Sequence, residues 1–223
     1  MNHPAIRGVL FDLDGTLLDT APDMIAALNV VRGEESESPL PFALARTQVS
    51  HGSTGLIRLA FPTADPMRFE QLRGRLLTLY AARIADETRL FSGGDALLTA
   101  LEQRGILWGI VTNKPGFLTT PLVAALGLAA RSGCVVSGDT LPERKPHPAP
   151  LLYAAAQLAL PAPQCVYVGD AERDVLAARA AGMPVLLANY GYLGPNDEPQ
   201  RWGADGEIDS LPEILSWLHD RTA

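Results

Sequence analysis

The alternation of apolar and polar stretches predicts a parallel α/β sheet. Short apolar runs typical of buried strands cover residues 9–11, 106–111, 134–136, 165–168 and 184–188, with Ile208 as a possible edge strand. From residue 90 onwards, stretches of helical length lie between these runs. Strands and helices that alternate connect through right-handed crossovers. We therefore expect a doubly wound, Rossmann-like parallel sheet with helices on both faces.

One segment interrupts this alternation. Residues 20–89 contain helical patterns and no convincing strand. The longest predicted helix, residues 66–87, has apolar residues spaced three and four apart, such as Phe69, Leu72 and Leu76. We therefore predict an α/β core, residues 1–19 and 90–223, with a small helical cap, residues 20–89, inserted after the first strand.

The cap has its own predicted elements. Residues 24–31 and 56–61 have helical patterns, and residues 32–41 are polar and proline-bounded as in a loop. Residues 50–55 are small, which predicts a flexible segment. A helical lid of this kind is expected to close over the core and exclude water during a reaction.

Composition narrows the classes of partner. The chain of 223 residues is 47% hydrophobic and 19% charged, which permits a sizeable core. Its formal net charge of -7 and pI of about 5.1 argue against nucleic acid or an anionic membrane as the main partner. A small anionic substrate is compatible, because it needs only a local positive pocket. The sequence leaves the oligomeric state open.

The cysteines and the start of the chain bear on the compartment. Cys134 and Cys165 lie in predicted strands, which favours free buried thiols in a reduced compartment. No apolar run approaches the roughly 20 residues of a spanning helix, and residues 1–4 lack the features of a signal peptide. We expect a cytoplasmic protein.

Polar residues follow four of the predicted strands. They are Asp12 with Asp14, Thr112 with Asn113, Lys145, and Asp170 with Asp174. The carboxyl ends of parallel strands converge on one crevice. Carboxylates, a hydroxyl group and a cation in one crevice suit phosphoryl transfer, where positioning and charge neutralisation carry most of the catalysis. Two close carboxylates also favour a hard cation such as Mg²⁺, which takes oxygen ligands.

Each of these residues also has a plainer explanation. Asp14-Gly15 is an ordinary turn signal, and Lys145 could be a solvated surface lysine. Asp170 could be a helix N-cap and Asp174 a favourable acid in the first helical turn. Only their joint order, at one predicted end of one sheet, favours the functional interpretation.

The four motifs together resemble those of the haloacid dehalogenase-like hydrolases. They read DLDGT at 12–16, VTN at 111–113, KP at 145–146, and GD at 169–170 with Asp174 four residues on. The resemblance covers essentially the whole fold, and the insertion looks like the family's small helical cap. Residues 11–22, 111–115 and 145–148 resemble the phosphoglycolate phosphatase group, and residues 107–115 and 190–205 resemble the N-acetylmuramate 6-phosphate phosphatases.

The resemblance implies Mg²⁺-dependent hydrolysis of a small phosphorylated metabolite, such as 2-phosphoglycolate or N-acetylmuramate 6-phosphate. Asp12 would be the nucleophile that forms an aspartyl-phosphate, and Asp14 would be the general acid and base. Thr112 and the Asn113 backbone would hold phosphate oxygens. Lys145 would offset the charge between Asp12 and the phosphate.

The same resemblance implies the metal ligands. Asp12, the backbone carbonyl of Asp14, and Asp170 would bind Mg²⁺ together with waters. Asp174 would support the site from nearby.

The cap departs from the family pattern where a small-Gly-Gly stretch is expected. This chain has Ser50-His51-Gly52 there. Arg46, His51 and Arg58 are candidates for substrate contact, because they are cationic or hydrogen-bonding groups near residues 50–55. Residues of these types are more often ordinary surface residues.

Two other functions fit the same scaffold. A phosphosugar mutase would need a substrate-orienting base in the cap, and nothing marks one. A non-catalytic regulator is disfavoured by the intact set of nucleophile, acid, lysine and metal ligands. The resemblance disfavours a dehalogenase, because those enzymes need no metal and lack the second acid.

Overall fold

The fold contains a central sheet and a separate group of helices. The computed structural model describes residues 5–220. Residues 1–4 and 221–223 lie outside the described part, although both segments belong to the predicted core. The expectation about a signal peptide also concerned residues 1–4. Among the described residues there are eight strands: β1 (Gly8–Phe11), β2 (Leu18–Asp19), β3 (Arg89–Leu90), β4 (Leu107–Val111), β5 (Val135–Val136), β6 (Cys165–Gly169), β7 (Val185–Ala188) and β8 (Gly206–Ile208).

Six of these strands form one parallel sheet in the order β5-β4-β1-β6-β7-β8. β1 is central, with Leu10 opposite Gly109 on one side and Tyr167 on the other. The chain winds outwards through β4 to β5, then returns to β6 on the other side of β1. The doubly wound parallel sheet predicted from the sequence is confirmed.

The helices cover the sheet and build the inserted segment. In the described part of the chain they are α1 (Ala21–Glu34), α2 (Phe42–Arg46), α3 (Gly52–Ala60), α4 (Pro66–Ala81), α5 (Gly94–Gln103), α6 (Gly116–Ala125), α7 (Ala149–Gln157), α8 (Glu172–Ala180) and α9 (Glu213–Asp220). None of these described helices has the length and apolar character needed to cross a membrane.

Alternating residues of the strands divide the core between the two faces of the sheet. Val9 and Phe11 pack with α5, α6 and α9, whereas Leu10 and Tyr167 pack with α7 and α8. Both faces are apolar because helices cover both, as is usual for a parallel sheet. Cys165 is buried and Cys134 is half-buried; both thiols are free.

The inserted segment has a hydrophobic core of its own. Helices α1–α4 enclose a third cluster that includes Leu28, Leu56, Leu76 and Tyr80. At its two ends, β2 and β3 pair antiparallel, with Asp19 opposite Arg89. Strands of two residues are too short to give a periodic signal, so the sequence did not predict this ladder. It lies at the predicted domain boundaries, and that division stays a prediction.

Three local predictions within the cap were wrong in detail. The segment 32–41 begins in helix, because α1 continues to Glu34. The segment 50–55 is helical rather than irregular, in a 3₁₀ turn (Val49–His51) that leads into α3. Its small residues permit close packing, since a Cβ at Gly55 would lie 2.4 Å from the His51 Cβ. The longest cap helix, α4, ends at Ala81 rather than at residue 87.

Candidate active site

Asp12 lies directly after β1 with its side chain almost fully buried. Its Oδ1 accepts a hydrogen bond from the Leu13 amide at 2.7 Å and lies 2.9 Å from Lys145 Nζ. The Arg173 guanidinium lies on the other side, with Nη2 4.0 Å from Oδ2. Burial alone would raise the pKa of Asp12, but Lys145 and Arg173 outweigh it and lower that pKa. The carboxylate is therefore ionised, as a nucleophile must be.

Lys145 is fully buried and surrounded by oxygen atoms. Besides Asp12, its Nζ lies 2.8 Å from Asp174 Oδ1, 2.9 Å from the Val111 carbonyl and 2.7 Å from the Tyr167 hydroxyl. An ammonium group has only three N–H donors. All of them are thus engaged by protein oxygens.

Asn113 positions Lys145 through its side chain. Its Oδ1 accepts from the Lys145 amide at 3.0 Å, and its Nδ2 donates to the Lys145 carbonyl at 2.9 Å. The amide side chain thus pairs with the Lys145 backbone through both its oxygen and its nitrogen. The assignment of the Asn113 backbone to phosphate, which the resemblance implied, stays a prediction.

Three buried carboxylates gather beside Asp12. One carboxylate oxygen from each of Asp12, Asp170 and Asp174 lies within 4.8 Å of the other two. Asp170 Oδ2 accepts from the Ser50 hydroxyl at 2.6 Å and the Tyr192 amide at 2.9 Å, whereas the buried Oδ1 has no hydrogen-bond partner among the described residues. Burial, together with Asp12 and Asp174, raises the pKa of Asp170 to about 7.

This cluster fits a hard cation. An unpartnered buried carboxylate oxygen is costly unless something binds it, and Mg²⁺ binds one or two carboxylates readily. Asp174 differs from Asp170, because its Oδ2 accepts from the Ala171 amide at 3.1 Å and its Oδ1 faces Lys145. Burial raises the pKa of Asp174, and Lys145 offsets part of that effect. A supporting position for Asp174 is consistent with these bonds.

Two glycines permit the close packing around Asp170. A Cβ at Gly15, whose φ is +86°, would lie 2.2 Å from Asp170 Oδ2. A Cβ at Gly191 would lie 2.3 Å from the Asp170 Cβ. The glycine of the DLDGT motif therefore makes room for Asp170 by its lack of a side chain.

Asp14 lies apart from the three clustered carboxylates. Its Oδ1 accepts from the Thr20 hydroxyl at 2.6 Å and from Lys114 Nζ at 2.8 Å. Neither bond involves Oδ2, and the side chain is 15% exposed at the cavity. Asp14 thus has one oxygen fixed and one available for a proton.

Lys114 links the core to the cap. Its buried Nζ lies 2.8 Å from Asp14 Oδ1 and 4.6 Å from the centre of the Tyr80 ring, which belongs to α4. Burial would lower the pKa of Lys114, but Asp14 and Tyr80 outweigh it and raise that pKa. Burial raises the pKa of Tyr80 to about 12, so its phenol stays protonated.

Thr112 completes the core side of the site. It is buried at the end of β4, and its Oγ1 accepts from the Lys114 amide at 3.1 Å. The hydroxyl proton has no acceptor among the described residues. It is available to a phosphate oxygen.

A cavity of about 1090 Å³ opens between the core and the cap. Asp12, Asp14 and Thr112 line its floor, and two of the three predicted cap residues, His51 and Arg58, line its cap side. Burial and then the charge of Arg173 lower the pKa of His51. Arg58 is exposed and lies 6.0 Å from the centre of the Phe69 ring.

Arg46, the third predicted cap residue, does not line this cavity. Its guanidinium donates to the carbonyls of Gly191 at 2.8 Å and Tyr190 at 3.1 Å, and lies 4.7 Å from the centre of the Tyr192 ring. These contacts join α2 to the core loop beside Asp170. Arg46 connects the cap to the core rather than facing the space where a substrate would bind.

Three residues at the site, Ser50, Lys114 and Arg173, were not predicted from the sequence. Ser50 had no signal, because its contact with Asp170 joins residues 120 positions apart. Lys114 directly follows two predicted site residues at a strand end. Arg173 had the clearest signal, since a cation in the first turn of a helix opposes the helix dipole and calls for an anion nearby.

Comparison with known proteins places the chain in a family. A family model described as haloacid dehalogenase-like hydrolase matches residues 9–188. The chain belongs to this family. The match spans the DLDGT motif, the inserted helices and the segments that contain Thr112, Lys145 and Asp170, so the predicted resemblance is confirmed.

Two relatives of this hydrolase carry different names. The chain is 47% identical over 208 residues to a phosphoglycolate phosphatase of Xanthomonas campestris pv. campestris, which covers 93% of this chain and 94% of that protein. It is 38% identical over 219 residues to an N-acetylmuramic acid 6-phosphate phosphatase of Pseudomonas aeruginosa, which covers 98% and 97%. The predicted enzyme class, a phosphatase similar to phosphoglycolate phosphatases, is confirmed.

A solved structure shows the same architecture. The crystal structure of a predicted phosphoglycolate phosphatase from Haemophilus somnus superposes with a TM-score of 0.85 at 27% identity, over 96% of this chain and 98% of that one. The arrangement of sheet and helices is therefore that of the family.

Proposed function

We propose that this hydrolase is a Mg²⁺-dependent phosphomonoesterase that works through an aspartyl-phosphate on Asp12. The observation that carries the proposal is the buried trio Asp12, Asp170 and Asp174, in which Asp170 Oδ1 has no partner among the described residues. Asp12, Asp170 and the Asp14 carbonyl would hold the cation, with Asp174 in support. Bound there, Mg²⁺ would neutralise carboxylate charge and polarise the phosphoryl group.

The first step is attack by Asp12 on phosphorus. A carboxylate oxygen of Asp12 forms a P–O bond while the bond to the leaving oxygen breaks, and Asp14 donates a proton to that oxygen. Thr112 and the Asn113 backbone hold phosphoryl oxygens. Lys145 keeps Asp12 ionised and in place through the 2.9 Å contact to Oδ1.

The second step reverses the proton's direction. Asp14, now ionised, accepts a proton from a water molecule that attacks phosphorus, and the bond from phosphorus to Asp12 breaks. Inorganic phosphate leaves and Asp12 is regenerated as a carboxylate. The fixed Oδ1 and available Oδ2 of Asp14 suit a group that gives and then takes one proton.

We propose a sugar phosphate as the preferred substrate, with N-acetylmuramate 6-phosphate ahead of 2-phosphoglycolate. The two relatives' names supply the candidates, and the cavity supports the choice between them. A space of about 1090 Å³ lies slightly above the usual range of volumes that hold drug-sized ligands. Phosphoglycolate would leave most of it to water. Cap residues with polar side chains, such as Gln48, Thr54 and Arg58, also line this cavity and would supply hydrogen bonds to a sugar.

The test compares Mg²⁺-dependent phosphate release from the two substrates, with Asp12→Asn as the blank. We expect kcat/KM to favour N-acetylmuramate 6-phosphate, and chelation of the metal to abolish release. A clear preference for 2-phosphoglycolate would overturn the substrate proposal. Activity that persisted in Asp12→Asn would overturn the mechanism.

Analysis of the reaction products distinguishes a phosphatase from a phosphosugar mutase and from a non-catalytic regulator. Rapid quenching should trap a phosphoryl group on Asp12 that hydroxylamine removes, followed by free phosphate in solution. Conversion of one sugar phosphate to its isomer without free phosphate would indicate a mutase. No turnover of any phosphomonoester would indicate a regulator.

A further inference from the structure

The cations around Asp12 are not equivalent. Lys145 has four oxygen neighbours within 2.9 Å for three N–H donors, and its side chain is fully buried. It holds Asp12 in place but has no donor left for a group bound to Asp12. A transferring phosphoryl group develops charge on its oxygens and needs donors aimed at them.

Arg173 has the donors that Lys145 lacks. Its guanidinium lies 4.0 Å from Asp12 Oδ2, on the side opposite Lys145, and lines the cavity with a side chain that is 21% exposed. A guanidinium carries five N–H donors in a planar fork that suits phosphate oxygens. None of the Arg173 donors makes a hydrogen bond to any residue in the described range 5–220. A distance of 4.0 Å to Asp12 also exceeds a hydrogen bond, so even this contact leaves the donors free.

The local sequence supports a functional reason for this arginine. Arg173 occupies the first turn of α8, where the helix dipole disfavours a cation. Asp170 and Asp174 flank it in the chain and, with Asp12, supply nearby negative charge. The other arginines that line the cavity include Arg73, paired with Glu70 at 2.6 Å, and Arg144, which is exposed. Neither has a contact with Asp12.

We propose that Arg173 is a further catalytic residue, which donates hydrogen bonds to the phosphoryl group as it moves to Asp12 and then to water. This inference rests on the proposed function. Arg173 would act on the phosphoryl group common to every substrate, not on the part that distinguishes one substrate from another. Its effect should therefore be the same for all phosphomonoesters.

The test compares Arg173→Gln and Arg173→Lys with Arg104→Gln as the matched control. Arg104 is exposed at the end of α5, near the start of β4 and thus at the opposite end of the sheet from the site. At saturating Mg²⁺, Arg173→Gln should lower kcat by about a hundredfold or more on both p-nitrophenyl phosphate and a sugar phosphate. Arg173→Lys should recover only part, and Arg104→Gln should match the wild type.

Inhibitor binding shows whether Arg173 contacts the phosphoryl group or only balances the charge of the carboxylates. Orthovanadate resembles the transferring phosphoryl group, whereas inorganic phosphate resembles the product. If Arg173 contacts the phosphoryl group in transfer, Arg173→Gln should weaken vanadate inhibition by about as much as it lowers kcat, and phosphate inhibition by much less. Equal losses for the two inhibitors, or full recovery of kcat in Arg173→Lys, would show that Arg173 only balances charge and would overturn the proposal.

Two controls keep the result interpretable. Thermal unfolding of Arg173→Lys should match the wild type, so that variant reports on chemistry even where Arg173→Gln folds poorly. Arg173→Gln removes a cation beside three carboxylates, so the Mg²⁺ concentration that gives half the maximal rate should stay the same or decrease. Recovery of the rate at high Mg²⁺ would overturn the proposal. An active Asp12→Asn would instead refute the proposed function, whatever Arg173 does.

Discussion

Two buried aspartates in this protein have opposite surroundings. Asp23, at the start of α1, accepts from the Thr88 amide and hydroxyl at 2.8 Å each, the Glu87 amide at 3.0 Å, and Arg83 Nε at 3.3 Å. Both its oxygens are satisfied. Asp170 has two donors on Oδ2 and none on Oδ1 among the described residues.

The difference is between a carboxylate whose two oxygens are both hydrogen-bonded and one that has an oxygen available to a ligand. Asp23 ties the first cap helix to the segment before β3, so its bonds stabilise the junction between cap and core. Asp170 is held in place by Ser50 and Tyr192 but keeps one oxygen bare in a cluster of like charges. A fold tolerates such an arrangement where a ligand compensates it.

The largest expected effect is at Asp170. Asp170→Asn keeps the shape and one acceptor oxygen for Ser50 and Tyr192, but removes a charge that would bind Mg²⁺. We expect kcat/KM to fall by about a thousandfold or more, because a bound metal supplies several kcal/mol of transition-state stabilisation. Asp23→Asn, compared at equal folded concentration, should keep kcat/KM near that of the wild type. Steady-state assays at saturating Mg²⁺ measure kcat/KM for both variants. Equal losses in the two would show that Asp170 is no more important to the reaction than Asp23.

The second prediction concerns the pH dependence of stability without metal. The pKa of Asp170 is raised from 3.8 to about 7, so the folded state binds a proton that the unfolded state releases between these values. The free energy of unfolding should therefore fall as pH rises from about 4 to 7, by on the order of 3 kcal/mol from Asp170.

Urea unfolding in a chelator at several pH values measures this effect. Asp174, whose pKa is also raised, adds a slope of the same sign, so the relevant quantity is the difference between the wild type and Asp170→Asn. That variant should show a flatter profile and should be the more stable of the two at pH 8. Parallel profiles for the two proteins would contradict the prediction.

The third prediction addresses Asp23 itself. In Asp23→Asn, an amide NH₂ replaces one carboxylate oxygen among the N–H donors of Glu87, Thr88 and Arg83, which leaves donors facing donors. We expect the free energy of unfolding to fall by about 3 kcal/mol at pH 7, as for a broken buried charge network. Denaturant unfolding measures it. A loss below about 1 kcal/mol would mean that these bonds add little to the junction.

The smallest effect is expected at Tyr192, which touches both regions. Its hydroxyl accepts from the amides of Thr20 at 2.7 Å and Ala21 at 2.9 Å and donates to Asp19 at 2.8 Å, so it caps the start of α1. Tyr192→Phe should lower the free energy of unfolding by about 1 kcal/mol, as the loss of a helix cap does. Tyr153→Phe, at an exposed position on α7, is the matched control and should show no change in the same unfolding experiment.

Much of the fold could be predicted because its signals are local. The apolar runs of β1, β4 and β6 and the helices between them depend on residues that are neighbours in sequence. The 3₁₀ turn at Val49–His51 and the pairing of β2 with β3 could not be predicted in this way. Both depend on packing between segments, which overrides what small or short stretches prefer alone.

The sequence by itself determined the α/β class and the inserted helices. It also predicted that Asp12, Asp14, Thr112, Lys145 and Asp170 lie near one another, because strand ends in a parallel sheet converge. Only the tertiary structure decided which side chains use their hydrogen-bond donors within the protein and which have donors available to a ligand. Lys145 donates to protein oxygens and the Arg46 guanidinium donates to core carbonyls, whereas Arg173 donates no hydrogen bond within residues 5–220. These distinctions depend on distances between residues far apart in the chain, and no local pattern of residue types encodes them.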